Sequence, residues 1–378
     1  MLNFEDIRPY NDDEYHQVVK KLFKVTPLMD MANAYLPELA AGELEKLLLS
    51  FKSITEFQSK MICRIIGEVL KVSVNKFSYD GLGAIGKDSS PLYITNHRDI
   101  VLDSAFINYC LNDSEHNTSE IAIGSNLLSE PWIRELVRIN KSFIVKRNIP
   151  KQEMLSSAQN LSAYINHTLK DKKQSIWIAQ REGRAKDGFD KTAPGLLKMF
   201  GMASDDNLLE HLISLNITPV SLAYELDPCD GLKVPELLKK AAGEEYIKAK
   251  GEDEMNMGLG ITGPKGNVHL QFGTSINDKI KGLGHIKNRN ELLKTIAAII
   301  DKEIYKNYHL WNSNYVAYDL LHTSNKYENK YDEGGKESFE NYMNEKLVDL
   351  KGNDEAKKIF LLMYANPVLN AEIALETV

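Results

Sequence analysis

Hydrophobic positions change their rhythm near Val72. Before it, spacings of three and four dominate. From Phe51 on, Phe57, Met61, Ile65, Ile66, Val69 and Leu70 recur on one side, while Lys52, Glu56, Lys60, Arg64, Glu68 and Lys71 fill the other. This pattern predicts an amphipathic helix over 51–70. Its plain use is packing against the body of the protein. A second use is resting on a bilayer, and the mixed signs of its polar face count against that. After Val72, short apolar runs alternate with helical stretches. Positions 92–95, 120–123, 143–145, 175–179 and 217–224 predict strands; 100–110, 152–169 and 194–202 predict helices. Such alternation implies an α/β fold, with a mostly parallel central sheet flanked by helices.

Further on, Gly263-Pro264-Lys265-Gly266 between apolar runs predicts a hairpin over 258–273. A second amphipathic helix is expected over 289–308, a polar loop over 324–338 and a last helix over 339–365. The expected organisation is an N-terminal helical segment (1–75), an α/β domain (76–320), and a C-terminal loop and helical tail (321–378).

Composition narrows the class. Of 378 residues, 43% are hydrophobic and 26% charged, which excludes disordered and fibrous chains. Lys and Arg total 46 against 53 acidic residues, a net charge of -7. A general nucleic-acid coat needs the opposite sign, so no nucleic-acid partner is expected. A local basic pocket for a phosphate remains compatible with the total. Cys63, Cys110 and Cys229 form no CxxC pair and have no His cluster beside them, so neither a disulfide framework nor a metal site is expected and a reducing cytoplasm is the simplest home. The acidic N-terminus lacks the apolar core of a secretory signal. Nowhere do ~18 apolar residues run uninterrupted, so no transmembrane helix is expected.

Gly81-Leu82-Gly83-Ala84-Ile85-Gly86 fits a dinucleotide fingerprint by spacing alone. The fingerprint needs a helix directly after it. Here a polar stretch and then a strand follow, so a turn between two strands is the better reading.

The chemistry gathers elsewhere. After the strand over 92–95 comes the polar loop Asn96-His97-Arg98-Asp99, then an apolar helix that carries Asp103. A carboxylate on such a helix needs a partner, because an unpaired buried charge is costly. His97 is the nearest candidate. An imidazole oriented by an aspartate can take a proton from an alcohol. Asp99 suits the helix N-cap and is the other candidate orienter. A capping His with a structural ion pair stays open as the alternative.

Lys146 and Arg147 end the strand over 143–145, and Arg181-Glu182-Gly183-Arg184 follows the strand over 175–179. In parallel sheets, ligand groups collect outside the carboxyl ends of the strands. His97, Arg147, Glu182 and Arg184 would therefore share one rim. A base with cations beside it suits a phosphorylated alcohol, since Arg grips phosphate through two parallel hydrogen bonds. Arg134, Arg138, Lys141 and Lys151 add local positive charge, each more simply read as a solvated surface group.

Four blocks together resemble the glycerol-phosphate and lysophosphatidate acyltransferases. They are Asn96-His97 with the following Asp, the strand ending at Arg147, Glu182-Gly183-Arg184, and Pro219 in an apolar strand. They lie between Pro91 and Tyr224, in the family's order. The resemblance implies transfer of a fatty acyl group from acyl-CoA or acyl carrier protein to a hydroxyl of a glycerol phosphate, most simply 1-acyl-glycerol 3-phosphate, in phospholipid biosynthesis. It implies no cofactor beyond that co-substrate. It makes His97 the base, assigns the acceptor phosphate to Arg147 and the Glu182-Gly183-Arg184 block with Lys146 beside them, and gives Pro219 the acyl-donor side. The family carboxylate would fall on Leu102, so this chain departs by one residue; Asp103 comes one later and Asp99 earlier. A lipid acceptor and a soluble acyl donor imply a cytoplasmic protein, peripheral on the inner face of a membrane, with 51–70 as the contact. Two other readings stay open. One is a lipid hydrolase in which the pair activates a serine, against which the lack of a G-x-S-x-G elbow counts. The other is a lipid-binding module without chemistry.

Overall fold

The computed structural model of the chain describes residues 3–39, 41–204 and 207–376. Seven strands form one sheet: β1 (Lys76–Asp80), β2 (Leu92–Thr95), β3 (Glu120–Gly124), β4 (Ser142–Val145), β5 (Ile176–Ala179), β6 (Ile217–Tyr224) and β7 (Asn267–Phe272). Their order is β1-β7-β6-β2-β5-β3-β4, and only β6 and β7 run antiparallel. Central β2 is buried along its whole length, as a strand covered on both faces must be.

Side-chain alternation splits the sheet into two apolar layers. Leu92, Ile94, Ile176 and Ile178 point to one face, under the helices Lys151–Lys170 and Arg289–Lys306. Tyr93, Trp177, Leu222 and Tyr224 point to the other, against the helices Leu102–Asp113 and Cys63–Ser73. A third cluster forms around Val316, Phe339, Phe360 and Tyr364 in the C-terminal helices, and a fourth around Tyr15, Leu36, Phe57 and Met61 in the N-terminal ones.

Several expectations need correction. Residues 258–273 do not make a hairpin. Glu252–Thr262 is a helix, and the Gly-Pro turn leads from it into β7, which pairs with β6 and β1. Gly258 and Gly260 weaken the helical signal. Gly260 is there for space, since a Cβ would fall 2.1 Å from the Asp99 carboxylate. The expected loop over 324–338 already contains a helix start at Glu333, capped by Asp332, whose side chain accepts from Gly335 N. The expected last helix is two, Glu333–Lys346 and Asp354–Glu376, parted around Gly352 at φ 82°. Asp354–Glu376 is long and apolar enough to cross a membrane by length and composition, but 56% of its apolar window is buried in the fold.

The helix predicted over 51–70 begins at Ile54, behind a Ser53 cap, and runs to Ser73 with a wider π turn over Phe57–Ile62. Phe51, Phe57, Met61, Ile66 and Val69 are all buried. Its apolar face therefore turns into the fold, where Phe57, Met61, Ile66 and Val69 also border a cavity.

Candidate active site

The loop between β2 and the helix Leu102–Asp113 lies at the carboxyl end of the sheet. Asp103 sits in the first turn of that helix, where side chains lean back toward the N-terminus and a carboxylate is favoured by the helix dipole. It is fully buried, yet four donors meet it. Oδ2 accepts from His97 Nδ1 at 2.8 Å, Arg98 N at 2.6 Å and Asp99 N at 3.1 Å, and Oδ1 accepts from the Tyr224 hydroxyl at 2.8 Å. A carboxylate only accepts, so the His97 proton resides on Nδ1 and Nε2 is left as the basic nitrogen. The imidazole meets the Trp177 ring edge-on at 6.0 Å, and the Trp177 indole donates to Thr95 Oγ1 at 3.1 Å.

Asp99, the other candidate orienter, has a different task. Its Oδ1 accepts from Val101 N at 2.8 Å and Leu102 N at 2.7 Å, closing the turn into the helix. Burial, and then the nearby Asp103, raise its carboxyl above the ordinary range. The extra residue in the spacing is absorbed by this turn, and Asp103 rather than Asp99 contacts the imidazole.

The neighbouring loop is tied to the same place. Ala185 N donates to His97 O at 3.2 Å, which brings Arg181–Lys186 alongside. Gly183, at φ 71°, makes the left-handed turn between Glu182 and Arg184. Arg147 joins Glu182 at 2.8 Å across the rim. Arg184 Nη1 is buried with no hydrogen-bond partner among the described residues. Its charge acts on Asp99 and Asp227 without an ion pair to either among the described residues.

Two expected binding residues make other contacts. Lys146 borders the same cavity as Arg147, while its ammonium pairs with Asp6, 2.7 Å away. Pro219 is buried within β6 beside Ile94, and its carbonyl accepts from Gly273 N at 2.9 Å. It precedes the ladder with β7, which starts at Val220, so a missing N–H is tolerated there. Of the supposed surface cations, Arg138 is buried and donates to Arg8 O and Glu5 O. Lys141 is buried on Thr118, and burial pulls its amine down to about 8.

His97, Arg147, Glu182, Gly183 and Arg184 line one cavity of about 1560 Å³, larger than the ~300–1,000 Å³ of ordinary ligand pockets. Much of its wall is apolar, supplied by Leu36, Leu44, Phe57 and Ile66 of the N-terminal helices and by Val101 and Ala105 beside the His97 loop. His97, Arg147, Glu182 and Arg184 therefore border a largely apolar chamber.

Sequence reasoning missed two supports of the loop. Arg98 pairs with buried Asp190 at 2.6 Å, and Asp190 also takes the Tyr308 hydroxyl. Burial raises the Asp190 carboxyl above its ordinary value. The second is Tyr224, whose position at the end of an otherwise apolar strand was the available signal, since a buried Tyr hydroxyl seeks a partner.

Residues 76–221 match the family model Acyltransferase, a span that holds His97, Asp103, Arg147, Glu182 and Arg184. No curated protein matches the chain. Among solved structures, the chain is similar to the crystal structure of the 1-acyl-sn-glycerophosphate (LPA) acyltransferase PlsC from Thermotoga maritima. The identity is 14%, over 77% of this chain and 97% of that one, with a TM-score of 0.36.

Proposed function

We propose that the chain, whose residues 76–221 match the Acyltransferase family model, moves a fatty acyl group from a coenzyme A or acyl carrier protein thioester to a hydroxyl of a glycerol-phosphate acceptor, most simply 1-acyl-glycerol 3-phosphate. The observation that carries this reading is the His97–Asp103 pair opening onto an apolar cavity beside Arg184, whose buried Nη1 has no hydrogen-bond partner among the described residues.

The acceptor hydroxyl attacks the thioester carbonyl while His97 Nε2 takes its proton. Asp103 holds the tautomer and stabilises the imidazolium. The tetrahedral intermediate then expels the thiolate, which recovers the proton from His97. The products are an ester and a free thiol, with no covalent enzyme intermediate. General-base catalysis of this kind contributes roughly 10²–10⁴-fold; holding both substrates in register supplies more. Arg184 and Arg147 hold the acceptor phosphate, and the apolar wall takes acyl chains. No metal or organic cofactor enters these steps.

An amphipathic acceptor and a water-soluble donor meet most readily at the cytoplasmic face of a membrane, where we place the protein as a peripheral enzyme. A serine hydrolase is disfavoured by the loop itself. Ser104 lines the cavity, but its hydroxyl donates to Val101 O at 3.3 Å, and no described serine bonds the imidazole.

The test is an incubation of purified protein with acyl-CoA or acyl carrier protein thioester and a panel of glycerol 3-phosphate, its monoacyl form and lysophosphatidylcholine, read by product mass. Acylated phosphate-bearing acceptors are expected. Release of free fatty acid alone, or no turnover with any pair, would overturn the proposal.

A further inference from the structure

Asp103 uses both of its oxygens. Oδ2 faces the imidazole and two loop amides, whereas Oδ1 has the Tyr224 hydroxyl at 2.8 Å. Tyr224 closes β6, and alternation along that strand turns it, with Val220 and Leu222, toward the helix that carries Asp103. Its ring stacks on Phe106 at 6.0 Å and 29°, one helical turn beyond Asp103. The phenol is therefore fixed from two sides, by ring packing and by the carboxylate. Burial, and then the charge of Asp103, hold its proton well above the ordinary phenol range, so it stays a donor.

We propose that Tyr224 is a positioning residue that tunes His97 through Asp103: its hydroxyl fixes the plane of the carboxylate and limits how strongly that carboxylate holds a proton on the imidazole. A hydrogen bond donated to a carboxylate disperses its negative charge and lowers its basicity. Without that donor, Asp103 would pull harder on the His97 N–H and stabilise the imidazolium. A base that stays protonated at neutral pH is a poor base. The hydroxyl thus weakens the pull of Asp103 on the imidazole proton.

The other charges around the pair come from three loops. Arg98 and Asp99 belong to the same loop; Arg98 is paired with Asp190, and Asp99 is engaged by backbone amides. Arg184 enters from the loop after β5, and Asp227 from the turn after β6, where Lys233 pairs with it. None of these gives Asp103 a side-chain hydrogen bond among the described residues, so Tyr224 is the side-chain donor that can be altered without touching the ion pairs.

This inference deepens the acyl-transfer reading, and its test includes a readout independent of it. The His97 ring is titrated by NMR in the full-length protein, alongside the acid limb of the acyl-transfer rate. Tyr224→Phe keeps the ring on Phe106. It should move the His97 midpoint up by about half a unit to one unit, and the acid limb with it. Replacing Tyr224 by 3-fluorotyrosine keeps the hydroxyl and makes it a stronger donor, so the midpoint should move down. In an Asp103→Asn background, Tyr224→Phe should give no further shift. An unmoved midpoint in both single variants, or the same shift with and without Asp103, would overturn the role. A shifted ring midpoint without any acyl transfer would instead reject the reaction and leave the device standing.

Discussion

Arg184 shows how much a single side chain decides at this site. It follows a left-handed glycine, its Nη1 is buried, and no described residue bonds that atom. Arg184 is half-buried, and a buried guanidinium nitrogen left without an acceptor is costly, a cost that an acceptor phosphate would relieve. Charge-assisted hydrogen bonds of this sort contribute about 1.5–3 kcal/mol, which is roughly 10- to 100-fold in affinity. Arg184→Ala should therefore raise the acceptor KM by about that factor and leave the donor KM near wild type; steady-state kinetics with each substrate varied in turn will tell. A change confined to the donor would contradict the phosphate role. The residues that carry chemistry were the most legible part of the sequence. His97, Arg147, Glu182 and Arg184 each follow a strand that its apolar run announces. What could not be read was the choice between Asp99 and Asp103. It depends on the turn closed by Asp99 onto Val101 and Leu102, a backbone event that residue spacing does not encode. The ion pair of Lys146 with Asp6 was hidden for a related reason, because that partner is remote in sequence.

Elements were legible where burial is continuous and obscure where it is shared. β2 and β6 match their expected limits, since a strand covered on both faces is written as an unbroken apolar run. β1 was implied only as the strand before the Gly81 turn, without limits: Lys76–Asp80 is a half-exposed edge strand with alternating polar residues. The helix Glu252–Thr262 was taken for half of a hairpin because its glycines read as turn residues, whereas Gly260 serves close packing against Asp99. Gly81 is the reverse case, a glycine whose turn role was correctly anticipated. It ends β1 at φ 93°, and a Cβ there would lie 1.9 Å from Phe272 O on β7. Gly81→Ala must twist the turn and push β1 from its parallel partner. It should destabilise the fold by more than ~1 kcal/mol, the usual ceiling of the entropic gain from removing a glycine. Urea denaturation measures this directly, and an unchanged midpoint would count against the assigned turn.

At the scale of the whole molecule, the apolar chamber is the feature least visible beforehand. Its walls come from Leu36, Phe57, Ala105 and other residues far apart in the chain, and each alone reads as ordinary core. The amphipathic stretch over 51–70 was legible as a helix, but not as the chamber's wall, because periodicity tells that a face is apolar and not what covers it. The chamber matters only if the imidazole at its edge acts as a base. The most direct measurement is the acyl-transfer rate of His97→Ala, made beside wild type with saturating donor and acceptor and with the urea midpoint of both proteins recorded. Loss of roughly 10²-fold or more, with folding preserved, is the predicted result. Transfer retained above a few per cent of wild type would contradict the account.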